Sequence, residues 1–419
     1  MIRQNQKLTH HRTNNIGKMI LNRRLRYILI VTLVFGGIFL ITAVKIVNSL
    51  DYPNSDFFSY WLAGHMVLTG QDPYSSYEWI DGHHQFGATW ISDSQFLYPL
   101  PLAIFLAPLG LFTLYHAYIG WVVLLEFMII ISVLLLLMAK KNLQFKPYII
   151  PILAGIALFR PTITTLFNGQ LSGMLLLISA LVIYFWEKEK WWQGSVLLPL
   201  LALKPNVGFP IIALLSIWLL VRKQIRMFGW MALSAFALLI IGLVRDPHWV
   251  SDYLSVGNTK LSQTFGYSPT VWGLAAYISG FKINPTLVLG SLAAIVLLVV
   301  CLFTLVRKRE YLSPMMVYGI VIATTLLITP YTWPYDQVML IIPIMVIMIE
   351  MVSRQYPYLL TASIFLFFDM LSIVLLVVSA KIQMEVLNAI IPFCTYCVLL
   401  IFILTTNKKA NNSTTKIVQ

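Results

Sequence analysis

The sequence predicts an all-α, polytopic membrane protein, on three observations. Of its 419 residues, 59% are hydrophobic and only 11% are charged, whereas a soluble protein must keep a largely polar surface. Runs such as Tyr27–Ala43, Val122–Met138, Leu287–Leu305 and Asn388–Leu404 can cross roughly 30 Å of hydrocarbon as helices. The basic residues gather in clusters beside the apolar runs, and none occurs between Lys45 and Lys140. A transmembrane β-barrel would read as short alternating segments instead.

A net charge of +13 would suggest nucleic acid in a soluble chain. Here the clusters beside the spans fit the enrichment of Lys and Arg on the cytosolic side, so no nucleic-acid partner is expected. Cys301, Cys394 and Cys397 all fall in apolar segments. The C-x-x-C pair reads as packing, because thiolate ligation would place charge in hydrocarbon.

Taken in order, residues 1–26 carry seven Arg and Lys and no acid, a basic cytosolic tail attracted to anionic lipid. The apolar run to about residue 48 is longer than a signal-peptide core and reads as an uncleaved anchor running outward. Residues 49–96 then form an extracytoplasmic loop holding six of the chain's sixteen acids. Within it, residues 57–69 predict a short amphipathic helix at the bilayer interface, ended by the Gly70–Tyr74 turn.

Residues 98–113 are apolar but interrupted by Pro99, Pro101 and Pro108. The parity of the later basic turns predicts that this segment enters and leaves on one face. Spans follow at 117–138, 148–166, 170–186, 194–204, 206–221, 227–244, 285–306, 314–329, 337–353, 358–379 and 387–405. Counting the first anchor, that is about twelve crossings in a single domain, 27–405, with a second cytosolic tail at 406–419 and both termini cytosolic. No internal repeat of the kind common in transporters is visible.

Several polar groups could carry chemistry. Asp56, at the head of the first-loop helix, could take a proton from an acceptor hydroxyl, although an acid there also suits the helix dipole. Lys204 precedes Pro205 in an apolar hairpin. It could hold a lipid phosphate, or it could snorkel beside a structural kink. Asn168-Gly169-Gln170 places two amides on a turn where they could bind sugar hydroxyls, and Arg160 upstream could pair with phosphate as a fork. A third outward turn, Thr329–Asp336, is dense in aromatic and polar groups. Asp81-Gly82-His83-His84 is a poor metal signal with no second cluster at ligand spacing, and no metal or other cofactor is assigned. Neither a nucleotide-type glycine loop nor a nucleophile elbow is present, which argues against nucleotide sugars as direct donors.

In order, Asp56, Tyr60, Ala63, Gly70, Pro73-Tyr74 and Tyr98-Pro99, then Asn168-Gly169-Gln170, then Gly194 and Leu203-Lys204-Pro205, then Thr329-Pro330, Trp333 and Tyr335-Asp336 resemble the pattern of the family 87 glycosyltransferases, over about residues 45–355. The resemblance implies a GT-C fold and an integral cell-membrane transferase working on the outer face. Such an enzyme takes its sugar, often mannose, from a polyprenyl-phosphate donor and passes it to a lipid or glycan acceptor. It further implies that Asp56 is the general base and that Lys204 contacts lipid phosphate. Mannosyl-transferring relatives often carry histidine in the last external turn, where this chain has Tyr335-Asp336.

The expected chemistry is an inverting hexosyl transfer. Lys204 and Arg160 would face the departing phosphate, and Asp72, Tyr74, Gln170 and Asp336 would hold sugar hydroxyls. Asn168, Tyr98 and Tyr335 complete the expected substrate-binding set. Two other classes compete with this reading. A lipid or glycolipid transporter would need ionisable residues deep in several spans, for which Glu126, Lys204 and Asp369 are the candidates. A surface-polysaccharide ligase or polymerase would usually want a larger late external loop.

Overall fold

In the computed structural model, residues 34–91, 93–140 and 143–405 are described, with 257–265 described in backbone only. The expected tails at 1–26 and 406–419, and the first residues of the anchor, lie outside the described residues. All regular structure among the described residues is helical. In order the α-helices are α1 (Val34–Asn48), α2 (Asp56–Thr69), α3 (Ser76–Gln85), α4 (Leu100–Leu106), α5 (Leu114–Ala139), α6 (Ile149–Leu158), α7 (Arg160–Phe167), α8 (Ser172–Glu187) and α9 (Trp191–Leu197). There follow α10 (Pro205–Val221), α11 (Arg226–Arg245), α12 (Trp249–Thr264), α13 (Val271–Ile278), α14 (Ile283–Arg307), α15 (Pro314–Ile328), α16 (Ile341–Ser353), α17 (Tyr358–Ile382) and α18 (Ile390–Thr405). Within the described residues each apolar run therefore becomes a helix or a broken pair of helices.

Six of the helices are long and apolar enough to cross a membrane. The pair α6–α7, bent by 53°, makes a seventh candidate. Six further apolar helices have 10–17 residues, so the crossings expected beyond seven rest on short elements. The segment Leu100–Leu111 is one of these. At 1.5 Å per residue its twelve residues cover only about 18 Å, short of the hydrocarbon thickness. It packs directly on α2: a Cβ at Gly64 would lie 2.7 Å from the Leu106 carbonyl oxygen.

Burial separates the centre of the bundle from its rim. The stretch Pro334–Ser353 is 83% buried, against 11% for α11 and 22% for α14. The outer helices expose Phe236, Val299, Phe303 and Phe367, as helices surrounded by acyl chains do. The centre is α15 and α16 packed with α8, α5 and α18.

Helix α2 starts one residue earlier than the amphipathic segment read from the sequence, so that Asp56 falls inside its first turn. It ends at Gly70 with φ +82°, a left-handed cap that favours glycine. It is more deeply enclosed than a helix resting on a bilayer. Phe57, Phe58, Tyr60, Trp61, Leu62, Ala63, Gly64 and Met66 are all buried, because α4, α5 and the turn Ala107–Leu111 cover it.

The basic clusters meet at one end of the bundle. Lys140 pairs with Glu187 at 2.7 Å, and Glu187 also accepts from the Met315 backbone N–H at 3.0 Å. Lys188 donates to the carbonyls of Met138 and Ala139 at 2.8 and 3.0 Å, a cation on the negative end of α5. Arg222 reaches the Arg309 carbonyl, Lys308 that of Leu404, and Arg354 that of Phe402.

Tight backbone approach fixes the α9–α10 hairpin. A Cβ on Gly208 would fall 1.9 Å from the Leu201 carbonyl oxygen, whereas one on Gly229 meets nothing within 4 Å. Gly208→Ala is expected to destabilise by about 1–3 kcal/mol through overpacking, with Gly229→Ala as a near-silent control. Thermal unfolding of the two purified variants in detergent reads the difference.

Candidate active site

At the end away from the basic clusters, four stretches distant in sequence converge: the head of α2, the turn 168–172, the break at 203–206 and the turn 329–336. Each is put there by a local feature. Ser55, extended at φ −90° and ψ 160°, precedes α2 and leaves Asp56 as its first residue. Gly169 takes φ +60°, and a Cβ there would lie 2.7 Å from Phe57 and 2.8 Å from Tyr118. Glycine thus meets both the backbone and the space requirement, and the Gly169 carbonyl accepts from Trp121 Nε1 at 2.7 Å.

Lys204 is extended (φ −122°, ψ 86°) between the 3-10 turn Leu198–Leu203 and α10, as a residue before proline is driven to be. The turn 329–336 is tied to that break by two bonds. Asn206 Nδ2 donates to the Tyr331 carbonyl at 2.9 Å, and Thr329 Oγ1 donates to the Asn206 carbonyl at 2.7 Å.

The four stretches form one polar network. Lys204 Nζ donates to Asp336 Oδ1 at 2.5 Å, to Ser172 Oγ at 2.9 Å and to Gln170 Oε1 at 3.2 Å. Ser172 Oγ donates to Asp336 Oδ1 at 2.6 Å, and the Trp333 N–H donates to Asp336 Oδ2 at 3.0 Å. Gln170 Nε2 donates to Asp56 Oδ2 at 2.6 Å. Tyr60 hydroxyl donates to Gln170 Oε1 at 2.9 Å and lies 3.0 Å from the Tyr98 hydroxyl. Since Tyr60 has a single O–H, Tyr98 is the donor in that last pair. The Gln170 amide has one sensible orientation, its oxygen toward ammonium and phenol and its nitrogen toward carboxylate.

Charge burial is uneven across this network. Lys204 and Asp336 are 2% and 0% exposed, while Asp56 is exposed. Asp56 stands on a pocket of about 50 Å³ lined also by Tyr60, Tyr98, Gln170, Tyr331 and Tyr335. Burial pushes the Tyr60 and Tyr98 hydroxyls well above the ordinary phenol range; Tyr98 and Asp56 add to the rise at Tyr60, and at Tyr98 the charges of Tyr331 and Asp56 add to it while the hydrogen bond with Tyr60 opposes it. Both therefore remain protonated donors at neutral pH.

Of the residues expected from sequence, Asp56, Tyr98, Gln170, Lys204, Tyr335 and Asp336 come together here. Lys204 is not open to a phosphate, however. An ammonium has three donors, and all three are engaged within the protein. Its Nζ also lies 4.9 Å from the centre of the Tyr335 ring.

Arg160 is placed in a separate contact. Its Nη2 bonds both Glu385 oxygens at 2.9 and 3.1 Å and its Nη1 bonds Asn388 Oδ1 at 2.8 Å, while Nε has no hydrogen-bond partner, so both terminal nitrogens are taken within the chain. Asn168 caps the end of α7 and is half-buried.

Asp72 and Tyr74 stand behind the pocket wall. Asp72 Oδ1 accepts from the Tyr74 N–H at 2.8 Å, and the Tyr74 hydroxyl donates to the Tyr98 carbonyl at 2.6 Å. Asp72 opens instead on a cavity of about 330 Å³ with Arg245, Asp246, His248 and Asp252. Burial raises its carboxyl, the Tyr74 N–H opposes that rise, and the nearby acids add to it.

Three site residues were absent from the expected set. Tyr60 lies one helical turn after Asp56, a spacing that puts both on one face of α2, and that signal was available. Tyr331 lies in the Thr329–Asp336 turn singled out for its aromatic and polar groups, and Ser172 carried no signal beyond proximity to Gln170. His83, read as a poor metal signal, packs against Phe58 and Trp79, with Nδ1 2.8 Å from the Trp79 carbonyl.

Removing one partner of a buried ion pair leaves an uncompensated charge, which costs about 3–5 kcal/mol. Lys204→Met is expected to lose that much stability, and Lys204→Met with Asp336→Asn to recover at least about half of it. Thermal melts of both variants in one detergent measure the recovery.

Comparison with known proteins places this architecture. No curated protein and no solved structure matches the chain. The family model of glycosyltransferase family 87 matches residues 96–330, more than half of the sequence. That range includes Tyr98, Arg160, Asn168, Gln170 and Lys204, and it leaves Asp56, Asp72, Tyr74, Tyr335 and Asp336 outside. With a helical membrane bundle and a matching segment that runs through the core of the site, the chain belongs to glycosyltransferase family 87.

Proposed function

We propose that the protein is an inverting, GT-C-type hexosyltransferase. It moves a sugar, mannose being the first candidate, from a polyprenyl-phosphate donor to a lipid or glycan acceptor on the extracytoplasmic face of the cell membrane. The observation that carries this reading is the exposed Asp56 carboxylate, held by Gln170 at the edge of a tyrosine-lined pocket. In the reaction Asp56 takes the proton of an acceptor hydroxyl as that oxygen attacks the anomeric carbon. The bond from carbon to the phosphate oxygen breaks with inversion, and polyprenyl phosphate departs. The phenols of Tyr331 and Tyr335 face the same pocket and supply neutral donors to the departing oxygens.

A space of about 50 Å³ is well below the roughly 300 Å³ and more of ordinary ligand sites. A bound hexose therefore requires the first-loop wall at 93–98 to move away from the turn at 331–335. The basic end of the bundle supports the orientation, because Lys and Arg gather beside cytosolic span ends. Both termini are then cytosolic and the Asp56 pocket is outside.

Two outcomes test this reading. Purified Asp56→Asn is expected to lose about 10²–10⁴-fold in transfer rate, with an unchanged melting temperature. Polyprenyl-phosphate mannose, glucose and galactose serve as donors and the producing cell's glycolipids as acceptor. Full activity in Asp56→Asn rejects the base, and no transfer by the wild type from any of the three rejects the donor class. Orientation is read separately in a chain whose three cysteines are replaced by alanine. A membrane-impermeant maleimide applied to intact cells should label Tyr77→Cys and spare Arg309→Cys; the reverse pattern overturns the topology.

A further inference from the structure

We propose that Gln170 is a positioning residue, held in one amide orientation by the buried Lys204–Asp336 pair, and that it fixes the direction in which Asp56 presents its carboxylate. The inference rests on the reading of Asp56 as the base and assigns Lys204 a task other than phosphate contact.

The geometry runs one way through four side chains. Asp336 is anchored by the Trp333 N–H and by Ser172. It holds Lys204 at 2.5 Å. Lys204 in turn gives its third hydrogen bond to Gln170 Oε1, which Tyr60 also approaches. With two donors fixed on its oxygen, the amide can offer Asp56 only its N–H, at 2.6 Å. A glutamine on a flexible turn would swing freely. This one is 1% exposed and follows Gly169, whose backbone is pinned against Phe57 and Tyr118. One Asp56 oxygen is thereby aligned by an N–H from below, and a carboxylate aligned in this way meets an incoming hydroxyl in a single orientation.

The alternative, that Gln170 is a sugar ligand, leaves its contacts unexplained. Its oxygen already takes two donors and its Nε2 bonds Asp56, so it has little left to offer a hydroxyl. Lys204, with every donor used inside the protein, is likewise a poor phosphate ligand but a suitable clamp on an amide oxygen.

Other groups stand around Asp56. Among the charged ones are Asp93 on the pocket wall and, behind Gln170, Lys204 and Asp336. The phenols are Tyr60 on its own helix, Tyr98, Tyr331 and Tyr335 across the pocket, and Tyr118 of α5, which donates to the Phe167 carbonyl. None of these changes in a variant confined to position 170.

Gln170→Glu tests the proposal. The new carboxylate still accepts from Lys204 and Tyr60, but it turns an acceptor oxygen toward Asp56. Two carboxylates at that separation share a proton, and the pair titrates with its upper step strongly raised. The carboxyl stretch assigned to Asp56, from the infrared difference between each protein and the same protein carrying Asp56→Asn, should titrate at least about one pH unit higher in Gln170→Glu. With the donor that the wild type accepts, kcat at neutral pH should fall about 10–100-fold and recover as pH rises, while donor KM stays within about twofold. Gln170→Asn keeps the amide but is one carbon too short to span Lys204 and Asp56. It should lower kcat at every pH without moving the titration upward as far.

An Asp56 titration that stays at its wild-type position in Gln170→Glu overturns the positioning role. So does a raised donor KM with that titration unmoved, which would make Gln170 a substrate ligand. The infrared signal needs no turnover. If Asp56→Asn retains full transfer, the general-base reading falls while the titration still decides whether Gln170 sets the state of Asp56.

Discussion

The ion pair between Lys204 and Asp336 is the contact on which the end of the bundle is built. Each residue is nearly inaccessible, and an isolated charge in such surroundings is expensive. The pair is tolerated because its remaining capacity is satisfied on both sides, by Ser172 and Gln170 on the ammonium and by Ser172 and the Trp333 N–H on the carboxylate. Those partners come from α8 and its leading turn, from the α9–α10 break and from the approach to α16. Three chain segments are thus held in register by one pair. Hydrophobic packing between smooth helices could not do this, because a non-directional force leaves helices free to slide. The α10 break is part of the device: Pro205 forces Lys204 out of the helical conformation, and the ammonium turns inward at the one level where a carboxylate waits.

The two ends of the bundle handle charge differently. At the basic end, cations are spread over helix C-termini, where Lys188, Lys308 and Arg354 cap carbonyls and remain partly open. Such contacts are modest and screened by salt. At the opposite end one pair of charges, Lys204 and Asp336, is buried and held by directional bonds. The first arrangement suits a surface that anchors the protein in its bilayer, and the second suits a surface that must hold one side chain in one place.

Much of the architecture was legible in the chain. The apolar runs, their prolines and the basic turns located the long apolar helices from 98 to 405, because hydrophobic length and punctuation are local signals; α12 and α13, in a stretch with no long apolar run, gave no such signal. The depth of α2 was legible too, although the amphipathic reading passed over it. A helix apolar on nearly every side is an enclosed one: Phe57, Phe58, Trp61, Leu62 and Met66 cover half of its circumference, and Tyr60, Ala63 and Gly64 the other half. Pairing was the part that no local pattern could reveal. Lys204 finds Asp336 132 residues away, and Arg160 finds Glu385 225 residues away. An unaccompanied cation in an apolar segment says that a partner exists without saying which. For both residues phosphate was the chemically plausible guess, and in both the position is filled by a carboxylate of the same chain.

That outcome also bears on the competing reading as a transporter. Such a protein needs ionisable groups strung along a path between its two faces. Of the three deep candidates, Lys204 is consumed by the site at one end. Glu126 is bonded through one oxygen to Thr42 of α1, and its other oxygen has no hydrogen-bond partner. Asp369 Oδ1, on α17, has none either. The acids sit on separate helices, and no hydrogen bond among the described residues links either of them to Asp336 or Lys204. A relay requires neighbours within hydrogen-bond reach, and these groups are scattered one to a helix. By contrast, the bonds joining Asp336, Lys204, Gln170, Tyr60 and Asp56 are continuous and end at an exposed carboxylate. A polar chain that begins at a buried pair and ends at one exposed carboxylate fixes that carboxylate in place, which suits the proposed base better than a path between two faces.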